Sequence, residues 1–175
     1  KEGAYVAFGD IDVQAGEALA KACGERALFL RHDVSNEAEW QEVIAKVQAH
    51  FGPLDILINN AGILLPGSIE TATLAQFRQL MQVNADSCFL GCQQGIAAMK
   101  ERGGSIVNMA SVSTWLPIEG YAGYSASKAA VAALTRASAL YCRKNGLAIR
   151  VNSLHPDGIY TPMMKATAPG VPEKY

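Results

Sequence analysis

The sequence predicts a doubly wound α/β domain, built on a parallel sheet with helices on both faces. Three observations lead there. Short apolar runs rich in Val, Ile and Leu alternate with longer segments of helical period. The runs lack the polar alternation of a half-solvated strand, so they read as strands buried on both sides. Enough chain separates successive runs for a helical crossover, which makes neighbouring strands parallel. With 50% hydrophobic residues, the 175-residue chain can build one sizeable core, so residues 1–175 are read as a single domain.

The first run, AYVAFGD (4–10), reads as a strand and VQAGEALAKAC (13–23) as the helix that follows. ALFLRHDV (27–34) is a second strand. SNEAEWQEVIAKVQAHF (35–51) is an amphipathic helix for which Ser35 supplies an N-cap hydroxyl. LDILINNAG (54–62) is a third strand ending in a small-residue turn. A helical pattern then covers roughly 73–100, as one helix or as two. Asn84 lies inside it; its side chain competes for backbone hydrogen bonds, which marks a local distortion. GSIVNMAS (104–111) is a strand, 123–145 a helix ending near Gly146, and LAIRVNSLHP (147–156) the last strand. The final TAPGVPEKY is loop-like. Such sheets bind ligands beyond the carboxyl ends of their strands, which singles out Asp10, Asp33, Asn60, Ser111 and Pro156.

The totals narrow the partners. A net charge of −1, without Lys/Arg clusters, argues against nucleic acid. No apolar run is long enough to span a bilayer and no signal-peptide pattern opens the chain, so a cytoplasmic protein without membrane contact is expected. Cys23, Cys88, Cys92 and Cys142 complete no metal pattern. They read as reduced, partly buried thiols, and no metal is expected.

Chemistry concentrates in GYSASKAAV. Tyr124 and Lys128 stand at i, i+4, so they share a helix face. A free phenol has a pKa of ~10, too high for acid–base work at neutral pH. A cation held nearby lowers it by roughly 1–3. Tyrosine packing beside a snorkelling lysine is the plain alternative. Ser111 tips the balance, because it ends a strand and lies near Tyr124 across a short loop. Ser113 is a substitute further into that loop. Tyr121 also has an i+4 partner, but Ser125 carries no charge. NNAG (59–62) would let a flat ligand approach the backbone. Asp10 ends the first strand, where a carboxylate accepts hydrogen bonds from an adenosine ribose and repels a 2′-phosphate, favouring NAD over NADP. Asp12 is the nearby alternative.

Asn84, Ser111, Tyr124 and Lys128, together with NNAG, resemble the short-chain dehydrogenase/reductase family. The resemblance covers essentially the whole chain. It implies a Rossmann-type fold and hydride transfer between NAD and a secondary alcohol or ketone. Tyr124 would be the general acid–base. Lys128 would lower its pKa and bind the nicotinamide ribose. Ser111 would polarise the carbonyl oxygen, and Asn84 would hold a water linking Lys128 to a proton relay. Asp33 and Val34 resemble the pair that contacts adenine; Asn60, Ala61 and Gly62 would line the cofactor. Ile159 and Thr161, after Pro156, resemble the residues that hold the carboxamide, with Asp157 standing where the family usually has glycine. NNAGILLPG, GCQQGIAAMK and IRVNSLHPDGIYTPMM are closer still to bacterial members that act on hydroxysteroids. The apolar residues Trp115, Leu116, Pro117, Ile118, Leu64, Leu65, Met163 and Met164, with Tyr121, suit an apolar substrate. Another apolar alcohol, or a non-catalytic dinucleotide-binding module, are the rival readings.

Two family parts are not in the sequence: a glycine-rich phosphate loop ahead of the first run, and the lid, last helix and last strand. The resemblance therefore implies a fold incomplete at both ends. The family's first strand belongs between the runs at 4–10 and 55–62, so both runs are expected to be edges. Residues 129–142 form a helix of small side chains through which, with the one near 85–100, family members commonly pair. A homo-oligomer, dimer or tetramer, is expected.

Overall fold

The computed structural model describes residues 2–167. The strands are β1 (Val6–Asp10), β2 (Ala27–Arg31), β3 (Ile56–Asn59), β4 (Gly104–Met109) and β5 (Ile149–Leu154). The helices are α1 (Val13–Cys23), α2 (Glu37–Phe51), α3 (Leu74–Leu80), α4 (Ser87–Met99), α5 (Ala122–Lys144) and α6 (Pro162–Thr167). All strand pairs are parallel, as the crossover spacing predicts. Residues 168–175, including most of the TAPGVPEKY tail, lie outside the described residues.

Local chemistry explains the boundaries. Asp12 caps α1 by accepting from the Ala15 N–H. Thr73 and Gln76 form a reciprocal capping box at α3. For α2 the cap is Asn36, accepting from Ala38, and not the expected Ser35. The reason is visible: the Ser35 hydroxyl donates to Asp33 Oδ1 at 2.7 Å, and the Ser35 N–H donates to the same oxygen. Ser35 is held in an Asp-centred turn one step too early to cap. Gly52, at φ 88°, ends α2 in the left-handed region.

The long helical pattern at 73–100 is not one helix. A π-helical turn, Met81–Asp86, separates α3 from α4, and Asn84 lies within it. The distortion expected at Asn84 is thus an extra residue wound into the helix.

The strands form two ladders, β1–β2 and β3–β4–β5. Among the described residues neither β1 nor β3 has a second strand partner, in line with the expectation that both are edges. Leu57 of β3 packs on the core, while Ile56 and Ile58, on the opposite face, are 60% and 58% exposed. α4 and α5 cover the inner face of the β3–β4–β5 sheet. Cys88, Met99, Ile106, Val131, Cys142 and Val151 fill the space between them. Close approach is written into the sequence at Gly91, where any Cβ would collide with the Asn59 amide. No described helix is long and apolar enough to cross a membrane.

Candidate active site

Tyr124 and Lys128 both lie in the first two turns of α5. That end of the helix is tied down by Gly67: its N–H donates to the Gly120 carbonyl at 2.7 Å, and its carbonyl accepts from the Ala122 N–H at 3.0 Å. The loop leaving β3 and the start of α5 are therefore stitched together. Ser111 follows β4, 8% exposed, and its hydroxyl acts on the Tyr124 phenol, lowering its pKa. The same hydroxyl oxygen accepts from the Ser113 N–H at 3.2 Å. Ser113 itself is buried with its hydroxyl unpartnered, so of the two serines it is Ser111 that meets the tyrosine. Tyr121 sits at the N-cap position of α5 and pairs with Gly67 instead.

Lys128 is 5% exposed. Its ammonium donates to the Met109 carbonyl at 2.8 Å and lies 5.7 Å from the Tyr124 ring centre. β3 stops opposite Asn108, so the Met109 carbonyl beyond it is open to this cation. Burial pulls the Lys128 pKa down to about 8. Burial also pushes the Tyr124 phenol up, opposed by the Ser111 hydroxyl. The sequence argument expected the cation to lower the phenol. Here the opposite direction holds, because the ammonium is directed at a backbone carbonyl and desolvation dominates the phenol.

Asn84, 2% exposed, joins three segments. Its Oδ1 accepts from the Ile63 N–H at 2.8 Å, and its Nδ2 donates to the Ile63 carbonyl at 3.0 Å and to Ser127 Oγ at 2.9 Å. Ser127 in turn donates to the Tyr124 carbonyl. Both amide hydrogens of Asn84 are thus engaged by protein. A Cβ added at Gly62 would lie 3.1 Å from Asn84 Oδ1 and 3.3 Å from Lys128 Nζ, so the NNAG turn passes directly over both. Asn84, Ser111, Tyr124, Lys128 and Gly62 are therefore one cluster.

The other candidates are placed as follows. Asp10 and Asp33 stand at the carboxyl ends of β1 and β2. Asp10 Oδ1 accepts from the Asp12 N–H, whereas Asp12 caps α1, so Asp10 is the strand-end carboxylate. Asp33 holds Ser35, its own N–H donates to Glu39, and the Val34 carbonyl accepts from Trp40. Asn60 and Ala61 are exposed beside Gly62. The Pro156 carbonyl accepts from the Val112 N–H at 3.0 Å. Ile159 is exposed, and Thr161 caps the short α6 through its hydroxyl and carbonyl. Sequence reasoning missed a buried polar chain under the site, Asn59 to Asn108 to Thr135, which runs from β3 through β4 to α5. Polar residues inside apolar runs were its only signal.

A family model described as short chain dehydrogenase matches residues 1–171. The chain belongs to the short-chain dehydrogenase family. Among curated members, a 3-beta-hydroxysteroid dehydrogenase of Comamonas testosteroni is 68% identical over 168 residues, covering 96% of this chain and 66% of that protein. A 3-alpha-(or 20-beta)-hydroxysteroid dehydrogenase of Mycobacterium bovis is 40% identical over 163 residues, covering 93% and 62%. An NADP-dependent (R)-specific alcohol dehydrogenase of Lentilactobacillus kefiri is 36% identical over 168 residues, covering 94% and 67%. The chain thus spans about two thirds of the length of these short-chain dehydrogenases.

Proposed function

We propose that the protein is a dehydrogenase that interconverts a secondary alcohol and a ketone, with a hydroxysteroid as substrate and NAD as hydride carrier. The observation that carries this reading is the Ser111–Tyr124 hydroxyl pair beside the buried Lys128 ammonium. The residues suit a nicotinamide cofactor. The side-chain-free turn at Gly62 passes close over the buried Lys128 ammonium, a hydrogen-bond donor that suits a ribose hydroxyl. Bound there, the cofactor would supply or accept the hydride. Ser111 would direct its hydroxyl hydrogen at a carbonyl oxygen. Tyr124 would give that oxygen its proton, or remove it in the reverse direction. With burial holding the phenol protonated at neutral pH, proton donation is the step this arrangement favours. Lys128 would leave Met109 for the ribose and bring its charge to the phenol. Hydroxysteroids are suggested by the names of two relatives and by the exposed apolar side chains Trp115, Leu116 and Ile118.

NAD is proposed from Asp10, although one relative is named for NADP. The test is reduced-nicotinamide absorbance with both cofactors, against hydroxysteroids and small alcohols, for the wild type and Asp10→Ala. Steroid oxidation with NAD is expected. The variant should narrow the NAD preference by roughly ten- to a hundredfold, the worth of a charged hydrogen bond. An unchanged preference would move the role to another residue, and no turnover with any alcohol would leave the non-catalytic module as the better reading.

A homo-oligomer, dimer or tetramer, is proposed on the outer faces of α4 and α5. Phe89, Leu140 and Tyr141 are 51%, 42% and 54% exposed there. A groove of 660 Å3, lined by Phe77, Met81, Phe89 and Leu90 together with the charged Glu37, Arg78 and Asp86, opens beside Phe89. Sedimentation of the intact protein should give at least a dimer; a monomer at all concentrations would refute it. Four free cysteines suit a reducing compartment, which supports a cytoplasmic location.

A further inference from the structure

His155 sits where the β4–β5 ladder runs out. The regular register ends at Met109 opposite Leu154. Two backbone bonds continue it, from the Ala110 N–H to the Leu154 carbonyl at 2.9 Å and from the Val112 N–H to the Pro156 carbonyl at 3.0 Å. Pro156 has no N–H to offer in return. At this point the His155 side chain spans the gap. Its Nδ1 lies 3.1 Å from the Ser111 carbonyl, and its Nε2 lies 2.9 Å from Ser153 Oγ. The partners decide the tautomer. A carbonyl only accepts, so Nδ1 carries the hydrogen; Nε2 of the neutral ring then accepts from the Ser153 hydroxyl. The Trp115 indole stacks on the imidazole, with centroids 4.0 Å apart and planes at 25°. Trp115 is nevertheless 62% exposed, so the indole keeps a broad apolar surface open to solvent.

We propose that His155 is a positioning residue with two separable tasks. Its Nδ1–H fixes the backbone of Ser111, and so aims the hydroxyl that acts on Tyr124. Its ring face shelves Trp115 as a wall for a flat, apolar, multi-ring substrate. The first task acts on the reacting oxygen and the second on a remote part of the substrate. The first should therefore appear in kcat and the second in KM. This inference rests on the dehydrogenase reading above.

Two variants of the intact protein separate the tasks. His155→Asn keeps an N–H donor near the Nδ1 position and removes the ring. It should retain kcat within about threefold and raise KM for a hydroxysteroid about three- to tenfold, with little change for a small alcohol. His155→Phe keeps the stacking face and removes both hydrogen bonds. It should lower kcat about tenfold with KM nearly unchanged. Cofactor affinity should be unaltered in both. Equal losses of kcat in the two variants, or wild-type constants in both, would overturn the proposal. Imidazole nitrogen chemical shifts give a readout independent of turnover, recorded where the ring is neutral. Nδ1 should be protonated and Nε2 bare; the reverse tautomer would overturn the proposal whatever the substrate proves to be. Absence of turnover in the wild type, with the expected tautomer present, would count against the dehydrogenase reading and not against the His155 geometry.

Discussion

Tyr124→Phe is expected to lower turnover by roughly 10²–10⁴, the usual worth of a general acid–base, while cofactor affinity stays within about twofold. The substitution keeps the ring and removes only the oxygen. That oxygen interacts with the Ser111 hydroxyl in a partly buried setting, so the stability loss should be at most about 1 kcal/mol. An inactive yet folded variant therefore separates chemistry from packing. Tyr121→Phe is the control, because Tyr121 serves the N-terminus of α5 through its backbone and should lose little activity. A loss under about tenfold at Tyr124 would remove the tyrosine from the proposed role.

The second large effect is expected at Lys128, in two opposite directions. Lys128→Met preserves the aliphatic stem and deletes the charge. Without an ammonium to bind a ribose or reach the phenol, turnover should fall about 10²-fold or more. Stability should not fall with it. The folded lysine releases its proton at about 8, the unfolded one at its ordinary 10.5. Between those values the unfolded chain binds more protons, so wild-type stability rises with pH across that window. Below it the full penalty of the buried charge is present, roughly 3 kcal/mol. The variant escapes this penalty but leaves the Met109 carbonyl unpaired, at a cost of about 1–3 kcal/mol. At neutral pH the variant should equal or exceed the wild type, and by about pH 10 the wild type should overtake it. Parallel denaturant titrations at the two pH values read this directly. A wild type several kcal/mol more stable than the variant at neutral pH, with no pH-dependent crossing, would contradict the account.

These two residues were also the most legible part of the sequence, for a physical reason. An i, i+4 pair on a helix is a local relation, and its partner Ser111 sits at the end of an apolar run. The strands were legible in the same way, although their ends were overestimated. β3 is Ile56–Asn59 and not 54–62, since the ladder ends at Asn59 and residues 60–62 go on into the turn. What the sequence hid was mostly backbone. The carbonyl that takes the Lys128 ammonium belongs to Met109, a residue whose side chain gives no hint of it. Ser35 and Asn36 are both good caps by type. Only the hydrogen bonds of Ser35 to Asp33 decide between them. Asn84 did betray itself, as an asparagine in the interior of a helical pattern. That it grips both backbone groups of Ile63 could not be read, because Ile63 is distant in sequence and contributes no polar side chain.

The π turn at Met81–Asp86 sets the phase of everything after it. Each residue advances a helix by about 100° and 1.5 Å. The turn already holds one extra residue, so losing one would only return it to α and leave α4 in phase; adding another would carry α4 round by about that angle relative to α3. Cys88, Cys92 and Met99 would rotate away from the sheet, and Phe89 would rotate toward it. Gly91 would no longer lie over Asn59, and a bulkier neighbour would take its place. A change of letter at this turn removes the bonds of one side chain; an added residue turns an entire helix out of register with its core. The segment should therefore accept substitutions, or the loss of one residue, far more readily than insertions.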